Sequence, residues 1–464
     1  MIEKIKERIS EERLFHSLIN LAGERRVYLV GGAIRDIYLN REVCDFDFVV
    51  EGEGIEFARR FAKKVRGAFV ILSKEDDEAR VVFRKEIILD FIGLKDRDLI
   101  EDLKRRDFTI NSIALDISKE GGLIDPFEGM KDLEKGIIRP VSPDSLNLDP
   151  LRILRAIRFA LELGFKIDGK VWKMAENLSL SNIAKERISY ELLRIMEQDG
   201  SYPYIKRLLK LGLLQEIFPR AERLFKDYPL LEHSLNTYKK IEDILREPGY
   251  FQEFKLEWEK YFSTMDNKRA LLKLSGLFHD ISKPETMFIN ERGEVHFYGH
   301  DTLGAKRVEE IAREDLRLSR KEIKMLKTLV ARHMHLHLLA TAPELTDRAI
   351  RRFFRLLENE YFGLFILAYA DGYATAGKTE HLERTIRRMI QLKREDEAKV
   401  KIKRLITGDD LIEMGLKPGP IFKPILQELE DLQLEGKITT KEEGVRYLKE
   451  IILKRIAQQN HKIN

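Results

Sequence analysis

A change in hydrophobic period near residue 147 constrains the fold of this chain more than any other feature. Upstream, strand-like runs mix with helical ones. VYLV (27–30) and DFDFVV (45–50) predict strands, and GIEFARRFAKKV (54–65) predicts an amphipathic helix. AFVIL (68–72), ARVVFR (79–84) and IILDFI (87–92) predict further strands. Downstream, segments such as LDPLRILRAIRFALELGF and KERISYELLRIMEQ carry apolar residues at i, i+3, i+4 spacing with no strand signal. The pattern stays helical almost to the end, with GLKPGPIF (415–422) marking a turn between late helices. The expected fold class is an α+β N-terminal domain with a mixed sheet, followed by an elongated all-α body.

At 464 residues the chain is too long for a single core. A single cysteine excludes a disulfide framework and suits a reducing cytoplasm. The start, MIEKIKERISEERLF, is charged and helical and does not read as a secretion signal. No run of about 18 apolar residues is present, so no membrane partner is expected. A net charge of +4 decides nothing alone, because nucleic-acid binding depends on where Lys and Arg cluster.

Inside DFDFVV, strand alternation turns Asp45 and Asp47 to one face and Phe46 and Phe48 to the other. Neighbouring carboxylates repel unless a cation neutralises them. Mg²⁺ suits that task, since it takes oxygen ligands and keeps positions open for substrate phosphates. Asp90 in IILDFI is a third acid amid apolar residues on a predicted neighbouring strand. Three such carboxylates would make a two-metal site for phosphoryl transfer. An isolated D-x-D more often caps a turn or pairs with arginine. The stretch VGGAIRD shifts that balance: Gly31 and Gly32 follow a strand and precede a helix start, where backbone can approach a triphosphate, and Arg35 follows.

Together with these residues, LIEDLKRRDFTINSIALD (99–116) resembles the second motif of the bacterial (class II) tRNA nucleotidyltransferase and poly(A) polymerase family. The resemblance covers about residues 25–460. It implies that Arg106, Asp107 and Asn111 lie near the ribose and phosphates of an incoming nucleotide. On the residues alone, Arg105-Arg106 offers cations to phosphate, and Asp107 offers an acceptor to a 2′-OH. LDPLRILRAIRF (148–159) matches the segment in which an acid and an arginine of the family select the base, and Asp149 and Arg152 occupy those positions. The acid accepts from an exocyclic amine and the arginine donates to ring acceptors, so CTP and ATP are taken and UTP and GTP rejected. Arg155 and Arg158 follow at helical spacing as candidate phosphate contacts. The family's usual Glu before the acid is Leu148 here, which leaves the acid's orientation open. KERISYEL (185–192) matches a further motif, with Glu186 and Arg187 read as scaffold.

The implied activity is template-independent addition of C and/or A to the tRNA 3′ end, with Asp45 and Asp47 holding two Mg²⁺. Full CCA-adding members usually carry a flexible loop after the third-acid strand, and here only GLKDRD (93–98) stands there. That points to a CC-adding form with a separate A-adding enzyme in the same cell. Poly(A) polymerase shares the catalytic motifs and is the alternative product.

A second constellation lies in the helical body: His233 in LLEHSL, His279 and Asp280 in GLFHDISKP, His300 in FYGHDTLGA, His333 in VARHMHL and Asp371 in AYADGYA. Imidazole and carboxylate together suit a divalent transition metal that activates water. FHDISKP resembles the HD phosphohydrolase superfamily, and the order H…HD…H…H…D is complete. Relatives with this domain hydrolyse phosphomonoesters or 2′,3′-cyclic phosphates, so an accessory hydrolase is implied. Residues 405–438 resemble the family's C-terminal tail, which with the body grips tRNA in relatives, and the Lys and Arg of 395–404 would fit phosphate contacts. The expected domains are a catalytic head (1–137), a base-recognition neck (138–215), an HD-type domain (216–400) and a tRNA-binding tail (401–464). A phosphohydrolase as the main function is opposed by RRDFTINS. A non-catalytic RNA-binding protein is opposed by the intact acids.

Overall fold

The structure, a computed structural model, describes residues 13–84, 86–95, 98–117, 121–399, 405–416 and 418–460. It divides into two compact units. The first comprises Met1–Lys226 with Asn267–Leu271 and Glu310–Arg320; the second comprises Asp227–Asp266, Leu272–Glu309 and Lys321–Asn464.

The first unit is built on seven strands: β1 (Val27–Val30), β2 (Asp45–Val50), β3 (Ala68–Ser73), β4 (Glu78–Phe83), β5 (Ile87–Gly93), β6 (Ala114–Asp116) and β7 (Leu123–Ile124). Their order is β3-β4-β5-β2-β1-β6-β7. β2 and β5 run parallel and the other neighbours antiparallel, so the sheet is mixed as expected. Phe48 pairs in register with Phe91, and their rings stack at 5.3 Å. Phe57 and Phe61 of the helix Gly54–Val65 close on Phe91, each at 5.6 Å, and Phe15 meets Phe46 at 5.2 Å. This aromatic core takes one face of β2 and β5, so the alternate residues Asp45, Asp47 and Asp90 must face the other way. Asp77 accepts from the N–H groups of Gly54 (2.7 Å) and Ile55 (3.1 Å) and so caps the covering helix.

On the acid-bearing face, one register row crosses the whole sheet: Val70, Arg80, Asp90, Asp47, Val30, Ala114 and Ile124. Val30 and Ala114 join Tyr28, Val49, Leu94, Leu99 and Leu103 in a second core. The acids stand at its margin. The helical remainder of the unit includes Arg152–Leu163 and Lys185–Glu197, which pack together.

Among the described residues, the second unit is helical apart from a short hairpin, Phe288–Ile289 with Val295–His296. Helices Tyr228–Arg246 and Tyr361–Ala376 pack against each other. Glu242 on the first of them accepts from the buried Lys273 at 2.8 Å. Helices Gly408–Glu413 and Phe422–Leu434 flank the expected turn and share a small core with Leu448. Residues 96 and 97 of GLKDRD, residues 400–404 of the late basic stretch and Lys417 of the turn lie outside the described residues. Among the described residues, no helix is long and apolar enough to cross a membrane.

Candidate active site

A cavity of about 510 Å³ opens in the first unit, within the range of roughly 300–1,000 Å³ usual for small-molecule sites. Gly32, Arg35, Asp45, Asp47, Arg106, Asp107, Asn111, Asp149, Arg152, Arg155 and Arg158 all reach its wall. Residues from strand, turn and the helix Arg152–Leu163 thus converge. Of the residues singled out in the sequence for this site, Gly31, Asp90 and Arg105 do not line the cavity.

Gly31 acts from behind the wall. Its φ of +77° is strained for any side chain, and a Cβ there would lie 2.7 Å from Arg106 Nη1 and 3.2 Å from Asp47 Oδ2. The missing side chain lets a guanidinium sit beside a strand carboxylate. Arg106 Nε is buried with no hydrogen-bond partner among the described residues. Asp47 is half-buried, and burial pushes its carboxyl up; the Arg106 charge opposes this, while Asp90 and Asp45 add to it. Asp90 lies in register beside Asp47, as expected, but both its oxygens accept from Arg80, each at 2.8 Å. The third acid therefore has its own cation.

Behind the cavity runs a ladder of charges. Asp107 Oδ2 accepts from Arg155 (2.7 and 2.9 Å), and Oδ1 accepts from the Asn111 amide (2.9 Å) and the Phe108 N–H (2.8 Å). Burial alone would raise the Asp107 carboxyl, but these partners outweigh it and hold it below its usual value. Asn111 in turn accepts from Arg35 (2.7 Å), whose remaining donors grip Asp36. Glu191 takes Arg158 (2.6 Å) and faces Arg155 (3.6 Å), and Glu162 takes Arg158 (2.8 Å) and Arg194 (2.7 Å). Arg152 donates through Nη1 to the carbonyls of Arg106 and Ser145 (each 3.1 Å) and through Nη2 to that of Arg105 (2.5 Å). Backbone thus fixes the guanidinium and leaves its Nε–H without a protein acceptor among the described residues.

The second unit gathers all six residues of the other constellation. His233, His279 and Asp371 form one group able to hold a metal ion, and Asp280, His300 and His333 form another. Asp280 serves both: Oδ2 lies 3.2 Å from His279, and Oδ1 lies 3.4 Å from each of His300 and His333. Adjacent residues could not both turn inward within a helix, but the helix Lys268–Phe278 ends just before them. His279, His300 and His333 each set Nδ1 against a backbone carbonyl, of Gly276 (2.9 Å), Phe297 (2.7 Å) and Val330 (2.8 Å). That bond fixes the tautomer and turns each Nε2 inward as a ligand. Burial works against charge on His279, but Asp280 and Asp371 outweigh it and hold the imidazole up at about 10. Such a field suits a cation, since a divalent ion would displace that proton.

Several site residues were not read from the sequence. Arg187, taken as scaffold, instead lines the cavity. Phe159 lies under the guanidinium groups of Arg158 (4.2 Å), Arg35 (4.8 Å) and Arg155 (5.4 Å). An aromatic four residues after Arg155 was the available signal. Arg80 was hidden because strand pairing is not visible in a string of letters. His337 lies one turn after His333, with Nε2 3.1 Å from Asp371 Oδ2.

Comparison with known proteins agrees with this geometry. Residues 27–98 and 91–139 match the Poly A polymerase head domain, and 164–225 match the "Probable RNA and SrmB- binding site of polymerase A". Residues 230–375 match the HD domain. A CC-adding tRNA nucleotidyltransferase of Synechocystis sp. is 30% identical over 432 residues, 91% of this chain and 93% of that protein. The chain belongs to the tRNA nucleotidyltransferase family. An A-adding tRNA nucleotidyltransferase of Deinococcus radiodurans is 29% identical over 90% of this chain and 93% of its own. Among solved structures, the Thermotoga maritima CCA-adding enzyme complexed with tRNA shares the fold, with a TM-score of 0.65 at 22% identity. The match covers 96% of this chain and 98% of that one. Family members with different products are thus nearly equidistant from this nucleotidyltransferase.

Proposed function

We propose that this protein transfers nucleotides from CTP or ATP to the 3′ end of tRNA in the cytoplasm without a template, releasing pyrophosphate. One observation carries the reading: a single cavity unites two strand carboxylates, the Arg106 guanidinium and the Asp149–Arg152 pair. Asp45 and Asp47 offer oxygen donors from one strand face, and the half-buried Asp47 charge calls for a cation, so both fit Mg²⁺. Two ions held there would supply acidification of the RNA 3′-OH and charge relief for the departing pyrophosphate. Arg106, beside Gly31, is set to meet phosphate oxygens. Arg155 and Asn111 hold Asp107 ionised at the ribose end. Arg152 presents Nε–H to the base, and Asp149 accepts from the exocyclic amine of cytosine or adenine.

The short connection GLKDRD supports a product that ends at CC, completed by a separate A-adding enzyme. The test uses purified protein and Mg²⁺ with tRNAs ending at the discriminator base, at C and at CC, supplied with CTP and ATP separately and together. Sequenced 3′ ends that stop at CC are the expected result. Completed CCA ends would show the short connection to be no limit, a lone A added to CC would make this the A-adding partner, and long A tails would assign poly(A) synthesis.

Asp280, with one oxygen toward each triad, also favours an accessory phosphohydrolase with divalent transition metals in the second unit. Asp280→Ala should lower bound Ni²⁺ by about one ion per chain or more, since the group with His300 and His333 loses its carboxylate, and leave tRNA 3′ addition intact. Metal content measured on the purified variant decides it; unchanged stoichiometry would remove Asp280 from the metal centre.

A further inference from the structure

Leu148, 65% exposed, stands before Asp149 where the family resemblance implies a glutamate. Something else must hold the Asp149 carboxylate. Its Oδ2 accepts from Arg187 Nη2 at 2.8 Å, and its Oδ1 accepts the weaker Leu151 N–H at 3.2 Å. Arg187 and Asp149 both line the cavity.

We infer that Arg187 is a positioning residue for base selection, which turns Asp149 toward the exocyclic amine of the incoming nucleotide; this rests on Asp149 being the base reader. The helix bearing Arg187, Lys185–Glu197, is clamped along its length. Glu191, one turn on, takes Arg158, and Arg194 takes Glu162. Arg187 is the cavity end of this same i, i+4, i+7 face, so its root is fixed although its tip is half exposed. A guanidinium on Oδ2 fixes the direction of the carboxylate and leaves lone pairs for one further donor. A carboxylate so aimed accepts from cytosine N4 or adenine N6 and repels the O4 of uracil or the O6 of guanine.

The test measures kcat/KM for CTP, ATP, UTP and GTP, and tRNA affinity, in full-length wild type, Arg187→Ala, Arg187→Lys, Asp149→Ala and the double variant. Arg187→Ala should lose about tenfold or more of the CTP-over-UTP preference at unchanged tRNA affinity. Lysine should restore part of it, and the double variant should be no less selective than Asp149→Ala alone. If Asp149→Ala loses selectivity while Arg187→Ala keeps it, or only tRNA affinity falls, the positioning role is wrong and the base reader stands. If Asp149→Ala itself keeps selectivity, the base-reading assignment fails and this role with it. Should Arg187→Ala not fold, Arg187→Gln, which keeps the aliphatic stem, gives the same readout.

Discussion

Asp47→Ala should lower nucleotide addition by at least about a thousandfold, the several kcal/mol expected when a carboxylate that organises phosphoryl transfer is removed. tRNA affinity should change by no more than about twofold, because RNA affinity rests chiefly on phosphate contacts made elsewhere. The variant should not be less stable. The Asp47 carboxyl is raised in the fold, first by burial. A carboxyl raised on folding stabilises at low pH, and that contribution is lost as pH climbs through its folded value. Near neutral pH the folded chain therefore works against this charge, and alanine relieves it. Thermal melts at pH 7 with single-turnover incorporation test both halves. Normal turnover would remove Asp47 from catalysis, and a large loss of stability would make it a structural residue.

The second large effect falls on Glu191. Its side chain is buried, with Arg158 at 2.6 Å and Arg155 at 3.6 Å, and Arg155 is the group that holds Asp107. Glu191→Ala removes one of the two carboxylates on the buried Arg158, which keeps Glu162, while Arg155 keeps Asp107, so a loss of about 1–3 kcal/mol is expected. Replacing both partners, Glu191→Leu with Arg158→Met, should recover much of that, because burying two charges is itself costly. Chemical denaturation of the full chain provides the measure. A single variant with the wild-type midpoint would show that the ladder carries no stability. The surviving protein should also bind nucleotide more weakly, since Arg155 and Asp107 lose their backing.

Much of the first unit was legible because a strand with one aromatic face announces itself. In DFDFVV and IILDFI the phenylalanines marked the core, so the aspartates had to be elsewhere, and the strand bounds follow closely. What could not be read is what pairing across strands and helices creates. Arg80 lies ten residues before Asp90 and reads as an ordinary strand charge until β4 and β5 align. Arg187 occupies the first turn of a helix, where an arginine usually faces solvent. His337 follows His333 and His335 in RHMHLHLL, and the letters alone do not say which of the three turns toward Asp371. The candidate metal ligands His233 and Asp371 were legible only through the order of the whole set, since they stand far apart in the chain.

The row Arg80–Asp90–Asp47 has a consequence for how such a protein can vary. Charged and aromatic residues alternate along the same strands, so deleting one residue within Ile87–Leu89 would turn Phe91 to the acid-bearing face and Asp90 into the packed interior. Catalysis and folding would fail in one event. Variation in this region is therefore confined to exchanges of one side chain for another, and changes in chain length must fall in the connections that follow β5.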